Sequence, residues 1–239
     1  MKIIKILFAV CMLPLAVMAN PTGGEIISGD VEIRTSTDSV TINQASDKAI
    51  INWDEFSIGF GETTDFIQPS VNSVALNRVV GDNVSEIYGA LNSNGVVCLI
   101  NQNGVLVSPE GVINVAGFTA STLNIGDDAF NPAEDMVLTG DSEATIINKG
   151  SITALEGNVV MVAREVFNEG TISAKKGEVG LAGFDKEFLL LHKGSNKIAV
   201  KHAEAQGMVS NTGIIESVQA KLLAAGGNIY SLAINQEGI

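Results

Sequence analysis

Short apolar runs separated by Asn and Gly residues recur through most of this 239-residue chain. In one central stretch such runs begin at Val96, Val105 and Val112, and each is only a few residues long. Apolar runs of this length, bounded by turn residues, predict β-strands rather than helices. The pattern therefore predicts an all-β protein whose strands are joined by tight turns.

The tightest divider in this stretch is the tetrapeptide Asn101-Gln102-Asn103-Gly104. An Asn side chain can hydrogen-bond the backbone two residues further on, and Gly accommodates a positive φ without a Cβ clash. Two geometries fit these residues. One is a hairpin turn, and the other is a corner between strands that wind around a common axis. The repeats further along the chain favour the corner.

A turn with Asn and Gly two residues apart recurs downstream, first after 20 residues and then after a further 43, or about two periods. The three copies are Asn148 with Gly150, Asn168 with Gly170, and Asn211 with Gly213. A period near 20 residues with about three short strands per unit is typical of a parallel β-helix, in which stacked coils bury a shared apolar core. We therefore predict a right-handed parallel β-helix, with these six residues as structural coil turns.

Two regions depart from the repeat. Residues 20–55 contain short strands that we expect to cap the first coil, because an uncapped coil would expose unpaired backbone groups. Residues 184–205 lack the Asn-x-Gly turn and predict an extra-helical hairpin. The chain stops at Ile239 within what resembles the start of another coil, so we expect it to be a truncated part of a longer protein.

The N-terminus has the organisation of a signal peptide. Lys2 and Lys5 precede an apolar run, and Val17-Met18-Ala19 supplies a small-residue cleavage site. We expect residues 1–19 to be removed during export to the periplasm, leaving a single domain over residues 20–239. No later apolar run is long enough for a membrane span, and the one remaining cysteine, Cys98, is expected to be a buried small hydrophobe.

Composition and motifs exclude several function classes. The formal net charge of −13 disfavours nucleic acid as a partner. The chain has no P-loop, dinucleotide fingerprint, zinc spacing or nucleophile elbow. We therefore predict no catalytic activity, no metal and no cofactor. Glu156 and Lys176 lie one period apart, and their opposite charges indicate an exposed contact between coils.

The ordered motifs around the central tetrapeptide carry a resemblance to a known family. They are Phe56-Ser57-Ile58-Gly59, Gln68-Pro69-Ser70, the run from Val74 to Val79, the run from Ile87 to Leu91 and the run from Gly117 to Thr122. This set resembles the N-terminal secretion domain of filamentous-haemagglutinin-like exoproteins, the large partner of two-partner secretion. Gln102 stands where that family usually has Pro, and the family's upstream Asn-Pro-Asn-Leu motif has no match here.

The resemblance implies a protein that is secreted or displayed at the cell surface. It implies an outer-membrane β-barrel transporter with periplasmic POTRA-type domains as the partner, and nucleation of β-helix folding at the surface. Asn101, Gln102, Asn103 and Gly104 would form the partner-recognition and folding turn. The alternative is a surface adhesion module that binds host glycan or protein, with any host receptor contacted through a missing downstream region. A polysaccharide-active β-helix enzyme is a more distant third.

Overall fold

A computed structural model describes residues 20–130, 136–186, 188–190, 198–199, 206–225 and 229–231. These residues form 23 strands and no α-helix, so this part of the chain holds no helical segment able to cross a membrane. The strands are β1 (Glu25–Ser28), β2 (Val31–Thr35), β3 (Ser39–Gln44), β4 (Lys48–Trp53), β5 (Thr63–Ile67), β6 (Val74–Val79), β7 (Ser85–Ile87), β8 (Ala90–Ser93), β9 (Val96–Ile100), β10 (Val105–Val107), β11 (Val112–Val115), β12 (Gly117–Ser121), β13 (Met136–Leu138), β14 (Thr145–Asn148), β15 (Ser151–Ala154), β16 (Val159–Ala163), β17 (Glu165–Asn168), β18 (Thr171–Gly183), β19 (Phe188–Leu190), β20 (Ile198–Ala199), β21 (Met208–Asn211), β22 (Ile214–Ala224) and β23 (Ile229–Ser231).

The coils stack so that equivalent strands pair in parallel on three faces. The first face contains β3, β5, β8, β11, β15 and the start of β18 and β22. The second contains β4, β6, β9, β12, β16 and the end of β18 and β22. The third contains β7, β10, β14, β17, β21 and β23. The first two faces belong to one 14-stranded sheet because β18 runs through both. The predicted parallel β-helix is confirmed.

Alternating side chains from every face fill the interior of the helix. On the first face Ile113, Ile152, Ile172 and Ile215 lie in register in successive coils and are fully buried. Each isoleucine therefore packs on its counterpart one rung away, about 4.8 Å along the axis. A single coil could not bury these side chains, so stacking is what stabilises them.

Two antiparallel strands cap the N-terminal end. β1 pairs with β4, and β2 pairs with β3, both against the direction used by the coils. Trp53, at the end of β4, is 1% exposed and meets the Phe56 ring edge-on at 5.6 Å between centroids. Its Nε1 donates a hydrogen bond to Asn77 Oδ1 at 2.9 Å. The cap is confirmed, and Trp53 is part of the core.

A second apolar cluster lies on the outer side of the second face. It joins Leu76, Cys98 and Val162 of that face to Leu123 and Phe130 of the segment that follows β12. Burial raises the pKa of the Cys98 thiol to about 12, against a smaller lowering by a hydrogen bond with Thr119. The expectation that Cys98 is a buried hydrophobe is confirmed.

Strands outside the coils accompany this cluster. β19 pairs antiparallel with both β13 and β20, forming a small sheet apart from the coil faces. This is the predicted extra-helical hairpin, although much of 184–205, including the expected connection at 193–196, lies outside the described residues.

Candidate functional site

The tetrapeptide from Asn101 to Gly104 forms a corner of the β-helix. The preceding strand β9 belongs to the second face and the following strand β10 to the third, and each pairs in parallel with neighbouring coils. The hairpin alternative is therefore wrong. Gly104 N donates to Asn101 O at 3.0 Å, which closes the turn. Gly104 has a φ of +112°, and a Cβ there would lie 2.9 Å from Thr145 O of the next coil.

The Asn101 side chain is fully buried, and its amide joins the corner to the preceding coil. Its Nδ2 donates to Asn83 O and to Ser85 Oγ, each at 2.9 Å. Its Oδ1 accepts a hydrogen bond from Asn103 N at 2.8 Å, the local contact that the sequence predicted. Both ends of this amide are thus engaged inside the fold.

The other two residues of the corner face outward to different degrees. Asn103 is half-buried, and its Nδ2 donates to Gly81 O of the preceding coil at 2.8 Å and to Asn101 Oδ1 at 3.1 Å. Gln102 is exposed, while its backbone oxygen accepts a hydrogen bond from Ser142 Oγ at 2.6 Å. Of the three side chains in the corner, that of Gln102 is the most accessible to a partner of the folded protein.

A cleft of about 280 Å³ opens beside this corner. Its lining includes Arg78, Val80, Asp82, Gln102, Asn103 and Asn124. Arg78 donates to Asn124 Oδ1 at 2.9 Å and to Ile125 O at 2.6 Å, and forms an ion pair with Asp127 at 2.8 Å. The guanidinium therefore holds the segment after β12 against the second face and fixes one wall of the cleft.

The three Asn-x-Gly turns form a separate column, at the junction of the third and first faces. Asn148 Nδ2 donates to Asn168 Oδ1 at 2.8 Å, and Asn168 Nδ2 donates to Asn211 Oδ1 at 2.6 Å. All three side chains are fully buried. The sequence predicted the turns, but the amide-to-amide ladder emerges only from the stacking. The structure does not bring this column together with the corner at 101–104, which lies at the other end of the third face, where that face joins the second.

The glycines of this column allow the coils to approach closely. A Cβ at Gly170 would lie 2.2 Å from Gly150 O, and one at Gly213 would lie 2.0 Å from Gly170 O. Any side chain at these positions would displace backbone of the adjacent coil. The Asn provides the hydrogen bond between coils, and the Gly provides the space for it.

A second column was not predicted from the sequence. Gln68 Nε2 donates to Gln44 Oε1 at 3.0 Å, and Ser93 Oγ donates to Gln68 Oε1 at 2.6 Å. These side chains are at most 8% exposed and stand at the junction of the first and second faces. The available signal was a polar residue at the end of each alternating first-face strand. It was hard to see because the residue type changes from Gln to Ser.

Charged groups lie mainly on the outside of the coils. The predicted contact between Glu156 and Lys176 is confirmed, with Lys176 Nζ 2.7 Å from Glu156 Oε1. Within the described part of the chain, no three His, Cys, Asp or Glu side chains cluster in a way that could hold a metal ion. In the corner at 101–104 and in the two columns, buried amide and hydroxyl groups bond one coil to the next, which is the geometry of a folding scaffold.

Comparison with known families agrees with this architecture. The family described as the TPS secretion domain matches residues 18–238. The chain belongs to this family. It is thus the secretion domain of a two-partner-secretion exoprotein, and the family resemblance inferred from the motifs is confirmed. TPS domains belong to proteins secreted to the cell surface or medium and imply an outer-membrane transporter as partner; they are not an enzyme family.

Two curated relatives are described as heme/hemopexin-binding proteins of Haemophilus influenzae. One is 35% identical over 217 residues, which cover 87% of this TPS domain chain and 24% of the relative. The other is 44% identical over 106 residues, covering 44% of this chain and 11% of the relative. The chain therefore spans a quarter or less of the length of these proteins.

A solved structure supports the same assignment. The crystal structure of the HMW1 secretion domain from Haemophilus influenzae superposes with a TM-score of 0.70 at 28% sequence identity. The match covers 85% of this chain and 57% of that chain. The β-helix scaffold of this TPS domain is therefore shared with a secretion domain.

Proposed function

We propose that the corner at 101–104 links export of the TPS domain to its folding. In the unfolded periplasmic chain, the amides of Asn101, Gln102 and Asn103 are recognised by the POTRA-type domains of the transporter. Outside the cell the same amides close the corner. The observation that supports this proposal is that Asn101 is fully buried, with its amide bonded to the preceding coil.

The two roles exclude each other in one molecule. A transporter that binds the Asn101 amide favours the unfolded chain, because a ligand that binds only the unfolded state opposes folding. Once the first coils stack at the surface, that amide is buried and hydrogen-bonded to Asn83 and Ser85, so it can no longer bind the transporter. Folding then removes the recognised segment from the transporter and prevents its return.

The test compares export, transporter binding and refolding in the same variants. Cells with and without the transporter express wild type, Asn103→Asp and Gly104→Val, with Asn72→Asp as the control because Asn72 is exposed. We expect wild type and the control to reach the medium only when the transporter is present. Asn103→Asp and Gly104→Val should be retained and should refold slowly after purification.

A binding measurement on unfolded chains distinguishes a role of the corner in recognition from a role in folding. Unfolded wild type and Asn103→Asp are titrated with the purified periplasmic region of the transporter, and the proposal expects weaker binding by Asn103→Asp. Equal binding together with slow refolding would show that the corner serves the fold alone. Export of wild type without the transporter would overturn the whole proposal.

The proposal also covers cleavage near the N-terminus and the longer protein to which this domain belongs. We infer that residues 1–19 are cleaved after Ala19 and that a longer exoprotein continues beyond this domain. N-terminal sequencing of material from the medium should begin at Asn20. A sequence that begins with Met1 would contradict the cleavage.

A second candidate concerns the longer exoprotein. The 35% identity to a heme/hemopexin-binding protein favours a related cargo for the full-length protein. Hemopexin immobilised on a surface should retain the full-length exported protein, and the isolated TPS domain serves as the control. No retention of the full-length protein would contradict this candidate and leave the secretion role unaffected.

A further inference from the structure

Two Asn-Gly steps lie in the central coils, at Asn94-Gly95 and Asn103-Gly104. In a flexible chain the backbone nitrogen of such a Gly can attack the side-chain amide carbon of the Asn, because Gly has no side chain to hinder the approach. At both steps the Gly N–H and the Asn side-chain amide are hydrogen-bonded in the folded protein, and these bonds oppose the reaction.

In the folded protein the reacting groups of Asn103 and Gly104 are each engaged in a hydrogen bond to another residue. Gly104 N donates to Asn101 O at 3.0 Å, so its hydrogen is directed into the turn. Asn103 Nδ2 donates to Gly81 O at 2.8 Å, which directs the amide toward the preceding coil. Attack would require both hydrogen bonds to break.

Asn94 is restrained in the same way. Its Oδ1 accepts from Gln68 N and its Nδ2 donates to Gln68 O, each at 2.7 Å. Gly95 N donates to Ser93 Oγ at 3.0 Å. Gln68, like Gly81, belongs to the preceding coil. The hydrogen bonds from the Asn94 and Asn103 side chains to these residues therefore form only after two coils have stacked.

We propose that Asn103 is a deamidation site that is reactive in the unfolded exported chain and is shut off by coil stacking, with Asn94 as a second site of the same kind. The Gly104 nitrogen forms a bond to the Asn103 amide carbon, the carbon–nitrogen bond of that amide breaks, and ammonia leaves with the Gly104 proton. Water then opens the resulting cyclic imide to aspartate or isoaspartate. The reaction needs no other reagent.

Deamidation at Asn103 blocks the closure of the corner. The product carries a carboxylate where Nδ2 had donated, and this group would face two acceptors, Gly81 O and Asn101 Oδ1. Isoaspartate would in addition lengthen the backbone within the turn. The time spent unfolded in the periplasm thereby limits how many chains can still fold. This consequence rests on the proposed function of the corner, whereas the reaction itself does not.

Mass spectrometry of the mature chain tests the reaction. Samples are kept at neutral pH either folded or in urea, then digested, and conversion of each Asn is followed over time. We expect conversion at Asn103 and Asn94 to be about tenfold or more faster in urea, since the folded state must first open locally. Asn101, which precedes Gln102, is the internal control and should convert slowly in both samples. Equal rates at Asn103 in the two samples, or no conversion in urea, would overturn the proposal.

Refolding tests the consequence separately. After partial conversion the urea sample is diluted, and protease-resistant folded chains are separated from the rest. Chains converted at Asn103 should be depleted from the folded fraction. Conversion at Asn103 in equal proportion in both fractions would contradict the block to closure. Normal export of Asn103→Asp would instead contradict the proposed function, so the two failures are distinguishable.

Discussion

The buried polar groups at the corners are paired by different chemistry in two parts of the helix. The downstream coils contain Asn148, Asn168 and Asn211, and the upstream coils contain Gln44, Gln68 and Ser93. Downstream, Asn148, Asn168 and Asn211 repeat one residue type, and each amide bonds the next. Upstream, Gln68 bonds Gln44 on one side and Ser93 on the other. Both columns leave buried polar groups paired, which is the physical requirement. The downstream solution repeats in the sequence, whereas the upstream one does not.

A repeat in structure therefore need not be a repeat in residue type. A ladder of identical amides can be extended indefinitely, because each Asn offers both a donor and an acceptor. The Gln and Ser column depends on one particular order of side chains. We expect the downstream column to tolerate fewer substitutions. We do not expect the Gln and Ser arrangement to extend beyond the three coils that contain it.

The largest effect is expected where a glycine allows two coils to approach closely. In Gly170→Ala the new Cβ would lie 2.2 Å from Gly150 O, so the coils must separate. We expect a loss of about 3 kcal/mol in the free energy of unfolding, measured by urea titration with circular dichroism. Gly126→Ala is the control, because its Cβ meets nothing within 4 Å. Similar losses in both variants would contradict the close-contact argument.

Breaking the Asn ladder at its centre should come next. Asn168→Ala removes the acceptor used by Asn148 Nδ2 and the donor used by Asn211 Oδ1, in a fully buried position. We expect a loss of about 2 to 3 kcal/mol in the same titration. Thr212→Ala, at an exposed position of the same column, is the control. A change of less than about 0.5 kcal/mol for Asn168→Ala would show that the ladder contributes little.

The upstream column should be somewhat less sensitive. Gln68→Leu removes the bonds to Gln44 and Ser93, but these groups retain slight exposure and can regain water. We expect a loss of about 1 to 2 kcal/mol, compared with no significant change for the exposed Gln219→Leu. A loss equal to that of Asn168→Ala would remove the distinction between the two columns.

Cys98 lies on β9 and can report on unfolding of the upstream coils. Its thiol is buried and its pKa is raised to about 12, so alkylation at pH 9 should be negligible until its surroundings unfold. In Asn168→Ala we expect circular dichroism to begin changing at lower urea than alkylation, because a solenoid is coupled mainly between neighbouring coils. In Gln68→Leu the two transitions should coincide. Coincidence in both variants would indicate that the domain unfolds as one unit.

Surface ion pairs should have the smallest effect. Glu156 and Lys176 bridge two downstream coils, but both side chains are substantially exposed. A double-mutant cycle with Glu156→Gln and Lys176→Met should give a coupling energy of about 0.5 kcal/mol or less. A coupling comparable to that of the Asn ladder would show that charge rather than the buried amide holds these coils together.

Much of the fold was predictable because the same residues recur at the same point of each coil. The turns at Asn148, Asn168 and Asn211 revealed the period, and the period indicated the parallel β-helix. The corner at 101–104 was predictable as a turn, since Asn and Gly have local preferences. Its roles in recognition and in nucleating folding stay predictions.

The contacts between coils were not predictable in the same way. Nothing in the local sequence connects Asn103 with Gly81 or Arg78 with Asn124, because these residues become neighbours only when the chain has completed a coil or returned from an excursion. The column of Gln44, Gln68 and Ser93 was missed because its residue type changes and because its bonds form only between stacked coils. Long-range pairing depends on register, and register is decided by all strands of a face together.

The strand-sized apolar runs, the turns and their period could be read from the sequence alone, since they follow from side-chain alternation and local backbone preferences. Which polar groups are buried, and what they bond, depends instead on how the coils stack. Asn101 illustrates both contributions. Its contact with Asn103 is local and was predictable, whereas its contacts with Asn83 and Ser85 require stacked coils. Only stacking removes water from these amides, and so only stacking makes their hydrogen bonds necessary.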